Sequence, residues 1–190
     1  VEWVRLLYCY PELLSDDLIK YIAKNDKICK YVDIPLQHID DTILKTMGRR
    51  TSEKEIKNLI EKIRNAGDVA IRSTFIVGFP GETDEQFQKL YDFIGEYKLN
   101  YAGFFAYSKE DGTAAAKLKN QIPQAVKNKR LKNITALQSK VIFENNKNYV
   151  GKSLKVLYEG IDYDNNIFYG RPEFCAPEVD AKVLFSSDRI

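Results

Sequence analysis

Apolar runs rich in β-branched and aromatic residues recur at Trp3 to Tyr10, Tyr31 to Leu36, Ala70 to Gly78 and Ala102 to Tyr107. Runs of this length and make-up predict strands, and the stretches between them carry helical periodicity. The helix starts are marked chemically. Ser52 with Glu55, and Thr83 with Gln86, form Ser/Thr-x-x-Glu/Gln capping boxes, and Ser15 precedes Asp16-Asp17; such side chains satisfy the amides that a first helical turn leaves unpaired. Gly67 closes the helix begun at Ser52, and Asn100 follows the one begun at Thr83. Repeated βα units predict a parallel sheet with right-handed crossovers, closed as a barrel or open and doubly wound.

From Gln124 to Tyr149 the pattern predicts one long helix between Pro123 and Gly151. Leu131, Ile134, Leu137 and Val141 lie along one face, with the basic run Lys127-Asn128-Lys129-Arg130 assigned to the other. Beyond Gly151 come short β-like runs, Leu154 to Glu159, Ile167 to Tyr169 and Val183 to Phe185. They predict an all-β module with room for about three strands, fewer than a small closed barrel needs. The expected organisation is an α/β domain over residues 1–118, a linking helix over 119–150 and the beginning of a β module over 151–190. Val1-Glu2-Trp3-Val4 holds no initiator Met and reads as the interior of a longer chain.

Composition alters this picture only modestly. At 44% hydrophobic and 29% charged the chain is globular in make-up, and no apolar run nears the roughly 20 residues of a bilayer span. A membrane partner is therefore not expected. Cys9, Cys29 and Cys175 are too scattered for a disulfide framework, a zinc site or a cluster motif, and read as free thiols in a reducing cytoplasm. The net charge of +2 does not by itself imply nucleic acid. Its distribution is uneven: the segment from Gly151 onward has five basic and seven acidic residues, −2, leaving +4 for residues 1–150. An acidic module suits a basic protein partner better than a phosphate backbone.

Alternation along the strands divides each into two faces. Ile71, Ser73, Phe75 and Val77 suit packing under helices, which leaves Arg72, Thr74, Ile76 and Gly78 pointing the other way. Asp33, Pro35 and Gln37 oppose Val32, Ile34 and Leu36; Arg5 lies between Trp3 and Leu7; Gly103, Phe105 and Tyr107 share a face. Arg5, Asp33, Gln37, Arg72, Thr74 and Tyr107 at a barrel axis need partners. A polar ligand would supply them, and so would an internal network such as Arg5 with Asp33. The C-terminal strand ends, where barrel active sites gather, are Gln37-His38, Gly78-Phe79-Pro80-Gly81 and Tyr107-Ser108. The lone histidine, His38, reads as hydrogen-bonded structure. Glu82, Asp84 and Glu85 oppose a phosphate after Gly81, so that turn suits a flat uncharged group such as adenine.

Four strings, Asp33-Ile34-Pro35-Leu36-Gln37-His38, Leu44 to Arg50, Thr74 to Thr83 and Tyr107 to Ala114, closely resemble the radical-SAM methylthiotransferases. The resemblance implies a fold, the later four βα units of a six-stranded partial TIM barrel followed by an incomplete TRAM-like β module. His38-Ile39-Asp40, Glu110 and Ala176-Pro177-Glu178-Val179-Asp180 resemble the branch that acts on an aspartate β-carbon of a basic small-subunit ribosomal protein. The tRNA-modifying branch is the less favoured partner, and a cluster-free interaction module is the reading from another class. The implied reaction uses S-adenosylmethionine and two 4Fe-4S clusters: reductive cleavage to a 5′-deoxyadenosyl radical, hydrogen abstraction and methylthio transfer. The cluster cysteines are not in this sequence, so the chain as given is expected to be inactive, with no catalytic or metal residue assigned. The resemblance places Gln37 and Thr74 at the ribose and methionine parts, Ile76 and Gly78 at the adenine, and Phe105 and Tyr107 at the far wall. Arg49 goes to the cofactor carboxylate or the substrate mouth. Ile76 and Phe105 are equally readable as core, and Arg49 as a cation at a helix C-terminus.

Overall fold

The computed structural model describes residues 1–187. Four parallel strands, β1 (Val4–Leu6), β2 (Ile28–Gln37), β3 (Ala70–Val77) and β4 (Tyr101–Ala106), form one sheet in sequence order. The crossovers carry α1 (Asp16–Lys24), α2 (Asp41–Thr46), α3 (Glu53–Ala66) and α4 (Asp84–Tyr97). Both capping boxes form as expected: the hydroxyls of Ser52 and Thr83 accept from the amides of Glu55 and Gln86, whose side chains accept in return. Ser15 caps α1. β1 is much shorter than the apolar run from Trp3 to Tyr10, and α2, capped by Asp40, was not expected. Buried Val32, Ile34, Leu36, Ile71, Phe75 and Val77 meet Ile56, Ile60, Ile63, Leu90, Phe93 and Ile94 of α3 and α4. This apolar layer fixes the outer face of the sheet, as the alternation predicts.

α5 (Gln124–Asn146) follows β4, packs on β4 and α4, and ends in a single 3-10 turn, Lys147–Tyr149. Here the structure corrects the sequence reading. Its buried stripe is Lys127, Arg130, Ile134, Gln138 and Val141, so two members of the supposedly solvated basic run are interior. Each polar member of the stripe donates to a loop carbonyl: Lys127 Nζ to Tyr107 at 2.9 Å, Arg130 Nη1 to Glu82 at 3.1 Å and Gln138 Nε2 to Leu99 at 3.1 Å. A buried carbonyl without a partner costs about 1–3 kcal/mol. α5 therefore binds through polar groups as well as apolar ones.

The second sheet is antiparallel, β5 (Val156–Asp162), β6 (Ile167–Pro172) and β7 (Val183–Phe185) in sequence order. Asp162 accepts from the amides of Asp164 and Asn165 to shape the β5–β6 turn. The segment between β6 and β7 docks on the inner face of the parallel sheet, at the N-terminal ends of the strands. Asp180 accepts from the Tyr31 hydroxyl at 2.7 Å and the Ala176 amide at 2.8 Å, and pairs with Arg72 Nε at 3.4 Å. Arg72 also pairs with Asp33 at 3.2 Å. The suggested Arg5–Asp33 pair does not form; Arg5 instead donates to the Glu173 carbonyl at 2.7 Å and lies over the Tyr31 ring. Asp180 is thus internal and Glu159 is paired with Arg171 at 2.6 Å, so the module shows less acidic surface than its count suggests. Asp188 and Arg189 of that count lie outside the described residues.

Candidate functional site

The inner face of the parallel sheet has two halves. In the lower half Cys29, Tyr31, Ala70 and Ala176 are buried together, flanked by Trp3, Tyr101 and Phe174, and the Tyr101 hydroxyl lies 2.9 Å from Cys175 Sγ. The upper half is left open. Pro35, Thr74 and Ile76 are half-buried there, Phe105 is 60% exposed, and a Cβ built on Gly103 would meet nothing within 4 Å. β3 and β4 hold these residues in register, Thr74 opposite Gly103 and Ile76 opposite Phe105. The side chains of Gln37 and Thr74 hydrogen-bond to no described residue. Gln37 ends β2 at φ +70° after a register shift in its pairing with β3.

Above this face the strand tops are closed by a small apolar cluster of Ile43, Phe79 and Tyr107 with Met47, Ile76, Ala115 and Leu118 around it. Phe79 and Tyr107 meet edge to face at 5.3 Å, and the Tyr107 hydroxyl is buried without a partner. Gly78 turns the chain at φ +70°, and Lys127 Cγ lies 2.5 Å from where a Cβ would be. The amides of Gly78 and Phe79 both donate to buried Glu82, the second at 3.0 Å. Burial pushes the Glu82 carboxyl up to about 7, against the opposing pull of Arg130 and those two amides. His38 is fully buried, its Nδ1 accepts from the Asp40 amide at 3.0 Å, and burial pushes it down to about 4. It is a neutral structural imidazole.

The six residues assigned to the cofactor from strands and strand ends separate accordingly. Thr74, Ile76 and Phe105 come together on the open face; Gln37 ends β2 beside Phe75 after the register shift, off the alternation that would have set its side chain with them, and Gly78 and Tyr107 lie buried behind the face. Arg49 follows the C-terminus of α2, is half-buried, and makes no side-chain hydrogen bond or ion pair with a described residue. What the sequence reading missed was Lys127, Arg130 and Glu82, which hold the loops above the face. The available signal was helical spacing: 127, 130, 134, 138 and 141 fall on one stripe of α5.

The open face has the character of a site for an amphipathic ligand such as S-adenosylmethionine, with the unpaired Thr74 hydroxyl beside apolar Ile76 and Phe105 and the unpaired Gln37 amide at the end of β2. Iron is different. Among the described residues no three or more of His, Cys, Asp and Glu could hold a metal ion. Burial raises the pKa of Cys9, Cys29 and Cys175 alike, whereas a cluster ligand is a thiolate. These residues do not fit a cluster.

The sequence pattern of the Radical SAM superfamily matches residues 2–94, from β1 into α4. The ribosomal protein uS12 methylthiotransferase RimO of Alkaliphilus oremlandii is 51% identical over 184 residues, 96% of this chain and 42% of that protein. This chain belongs to the radical-SAM superfamily. Its RimO-type character extends to further relatives: the RimO proteins of Clostridium botulinum strain Loch Maree and Clostridium acetobutylicum are 44% and 46% identical over 99% and 98% of the chain. The chain spans about two fifths of the length of each, 42%. Among solved structures, coproporphyrinogen III oxidase of Escherichia coli aligns at TM-score 0.60 and 17% identity over 73% of this chain and 32% of that one. The archaeal Elp3 of Methanocaldococcus infernus aligns at 0.57 and 12%, over 94% and 59%. Likeness at that identity speaks for the fold, a partial α/β barrel followed by a β module. No helix among the described residues is long and apolar enough to cross a membrane.

Proposed function

We propose that this chain forms the S-adenosylmethionine-binding part of the barrel, together with the adjoining β module, of a cytoplasmic methylthiotransferase acting on ribosomal protein uS12. The observation that carries the reading is the open upper face, with Gln37 and Thr74 unpaired, in a chain 51% identical to a RimO over nearly its whole length. In this reading the Gln37 amide and Thr74 hydroxyl bind the ribose and methionine parts, while Ile76 and Phe105 flank the adenine and keep water from it. Arg49, without an ion-pair partner after α2, receives a carboxylate from the cofactor or the substrate. Gly78 and Tyr107 shape the cradle from behind. Bound S-adenosylmethionine supplies the hydrogen-abstracting radical, and the 4Fe-4S clusters needed for that chemistry are assigned to other parts of the whole protein. We also propose the division at residues 118 and 150, with a TRAM-like module after it.

A uS12 substrate is favoured over tRNA by the RimO relatives; the acidic count of the module adds less, because Asp180 and Glu159 are already paired. The test uses the full-length protein carrying this chain, purified without oxygen and with both clusters reconstituted. Supplied with S-adenosylmethionine, a sulfur source and either uS12 or unmodified tRNA, it is expected to methylthiolate uS12 alone, read by mass spectrometry. Modification of tRNA alone would overturn the substrate assignment.

A further inference from the structure

The loops above the open face are held from behind by one helix, and the holding groups are buried charges. Lys127, 6% exposed, donates from Nζ to the carbonyl of Tyr107, 5.0 Å from the centre of its ring, while its stem packs where Gly78 lacks a Cβ. Arg130, also 6% exposed, donates to the Glu82 carbonyl, lies 3.5 Å from the Glu82 carboxylate and reaches Asp84 at 2.7 Å. Glu82 in turn takes the amides of Gly78 and Phe79. The backbone that follows β3 and the backbone that follows β4 are thus both fixed to the first two turns of α5, the helix that leads to the β module.

Two buried cations are an expensive way to pack a helix, since desolvating a charge costs several kcal/mol and apolar residues of similar size often do as well. They do something that apolar residues cannot: a hydrogen-bonded cation fixes a carbonyl or carboxylate in both distance and direction. Four polar atoms in this region, His38 Nε2, Glu82 Oε1, Tyr107 Oη and Arg130 Nε, are buried without hydrogen-bond partners. Arg130 is also close enough to His38 to depress its basicity. Polar groups therefore run behind the apolar cluster of Ile43, Phe79 and Tyr107, from the end of β2 to α5.

We propose that Lys127 and Arg130 are positioning residues for the cofactor cradle: they set the Gly78–Phe79 and Tyr107 backbone against which the adenine end of the ligand rests. The proposal builds on the cofactor reading above. It deepens that reading by making affinity for the cofactor depend on a helix that does not touch it.

The experiment compares three variants of the full-length protein. Lys127→Met keeps the stem beside Gly78 and removes the donor; Arg130→Lys keeps a charge and removes the fork. Gln138→Leu is the control, because it removes the same kind of buried side-chain-to-carbonyl bond from the same helix, at Leu99, away from the cradle. Thermal midpoints and binding of S-adenosylhomocysteine by calorimetry are measured for each. Misplaced contact groups cost binding well beyond their own bond, so Lys127→Met and Arg130→Lys are expected to weaken binding at least about tenfold. Gln138→Leu is expected to leave binding within about twofold at a similar or larger loss of thermal midpoint. Equal weakening by all three, or none by the two cradle variants, would overturn the positioning role while leaving the cofactor reading intact. A wild-type protein without affinity for the probe would overturn the cofactor reading, and this proposal with it.

Discussion

Gly78 meets two demands at once, a φ of +70° and the Lys127 stem 2.5 Å from any added Cβ. Gly78→Ala is therefore expected to lower stability by about 1–3 kcal/mol, measured by urea denaturation; a change below about 0.5 kcal/mol would mean that Lys127 yields freely. Nearby, His38 and Glu82 make opposing contributions to pH dependence. The imidazole, held near 4 by burial against its ordinary 6.5, gives stability that is complete above 6.5 and is lost as pH falls toward 4. The carboxyl, held near 7 by burial against its ordinary 4.5, gives stability that is complete below 4.5 and is lost as pH rises through 7. Between about 4.5 and 6.5 the two slopes oppose, each by up to about 1.4 kcal/mol per pH unit. Compared with the wild type, His38→Asn should make stability fall more steeply with rising pH across that window, and Glu82→Gln should make it rise. Thermal midpoints at half-unit pH steps decide this. Unchanged slopes in both variants would mean that neither group titrates there.

Among the elements, local chemistry was legible and non-local partnership was not. The capping boxes at Ser52 and Thr83 involve residues three apart, so the sequence alone specifies them. Thr83→Ala is expected to cost about 1 kcal/mol, and a chemical denaturation midpoint unchanged by it would show that Gln86 alone suffices. β1 was overestimated because an apolar run marks burial, and here only Val4–Leu6 pairs with β2. The inward set of β2 and β3 was recovered because period-two alternation is intrinsic to a strand. Lys127 and Arg130 were misread because a charge run on a helix is ordinarily solvated. Their partners, Tyr107 and Glu82, lie 20 and 48 residues away, and no local pattern reports them. The open-face residues Thr74, Ile76 and Phe105 could be placed from alternation, whereas the register shift before Gln37 and the closed lower half could not.

For the molecule as a whole, the inner face of the barrel sheet is shared between an open upper half and a lower half covered by the module. The cover centres on Asp180, whose carboxylate meets Arg72, the Tyr31 hydroxyl and the Ala176 amide at once. Burial raises its pKa while those partners oppose the shift. A buried carboxylate satisfied this fully holds the two sheets together, because removing it leaves a hydroxyl and an amide unpaired and takes one of the two carboxylates from Arg72. Two thiols report on that junction. Cys29 and Cys175 are 1% and 2% exposed there, whereas Cys9 is half-buried after β1. In the native protein, Cys9 is expected to alkylate first. In Asp180→Ala, Cys29 and Cys175 should react at least about tenfold faster, since losing a buried paired charge costs about 3–5 kcal/mol and lowers the free energy of local opening. Cys9 provides the internal standard: its rate should stay within about twofold, because its own hydrogen bond, from its amide to the Asp33 carbonyl, lies in the sheet and not in the junction. Peptide mapping after timed iodoacetamide treatment at pH 8 gives all three rates. Unchanged protection of Cys29 and Cys175 would show that the apolar contacts of Tyr31, Trp3 and Phe174 hold the module down without the carboxylate. Equal acceleration at all three thiols would mean that the junction and the barrel sheet open as a single unit.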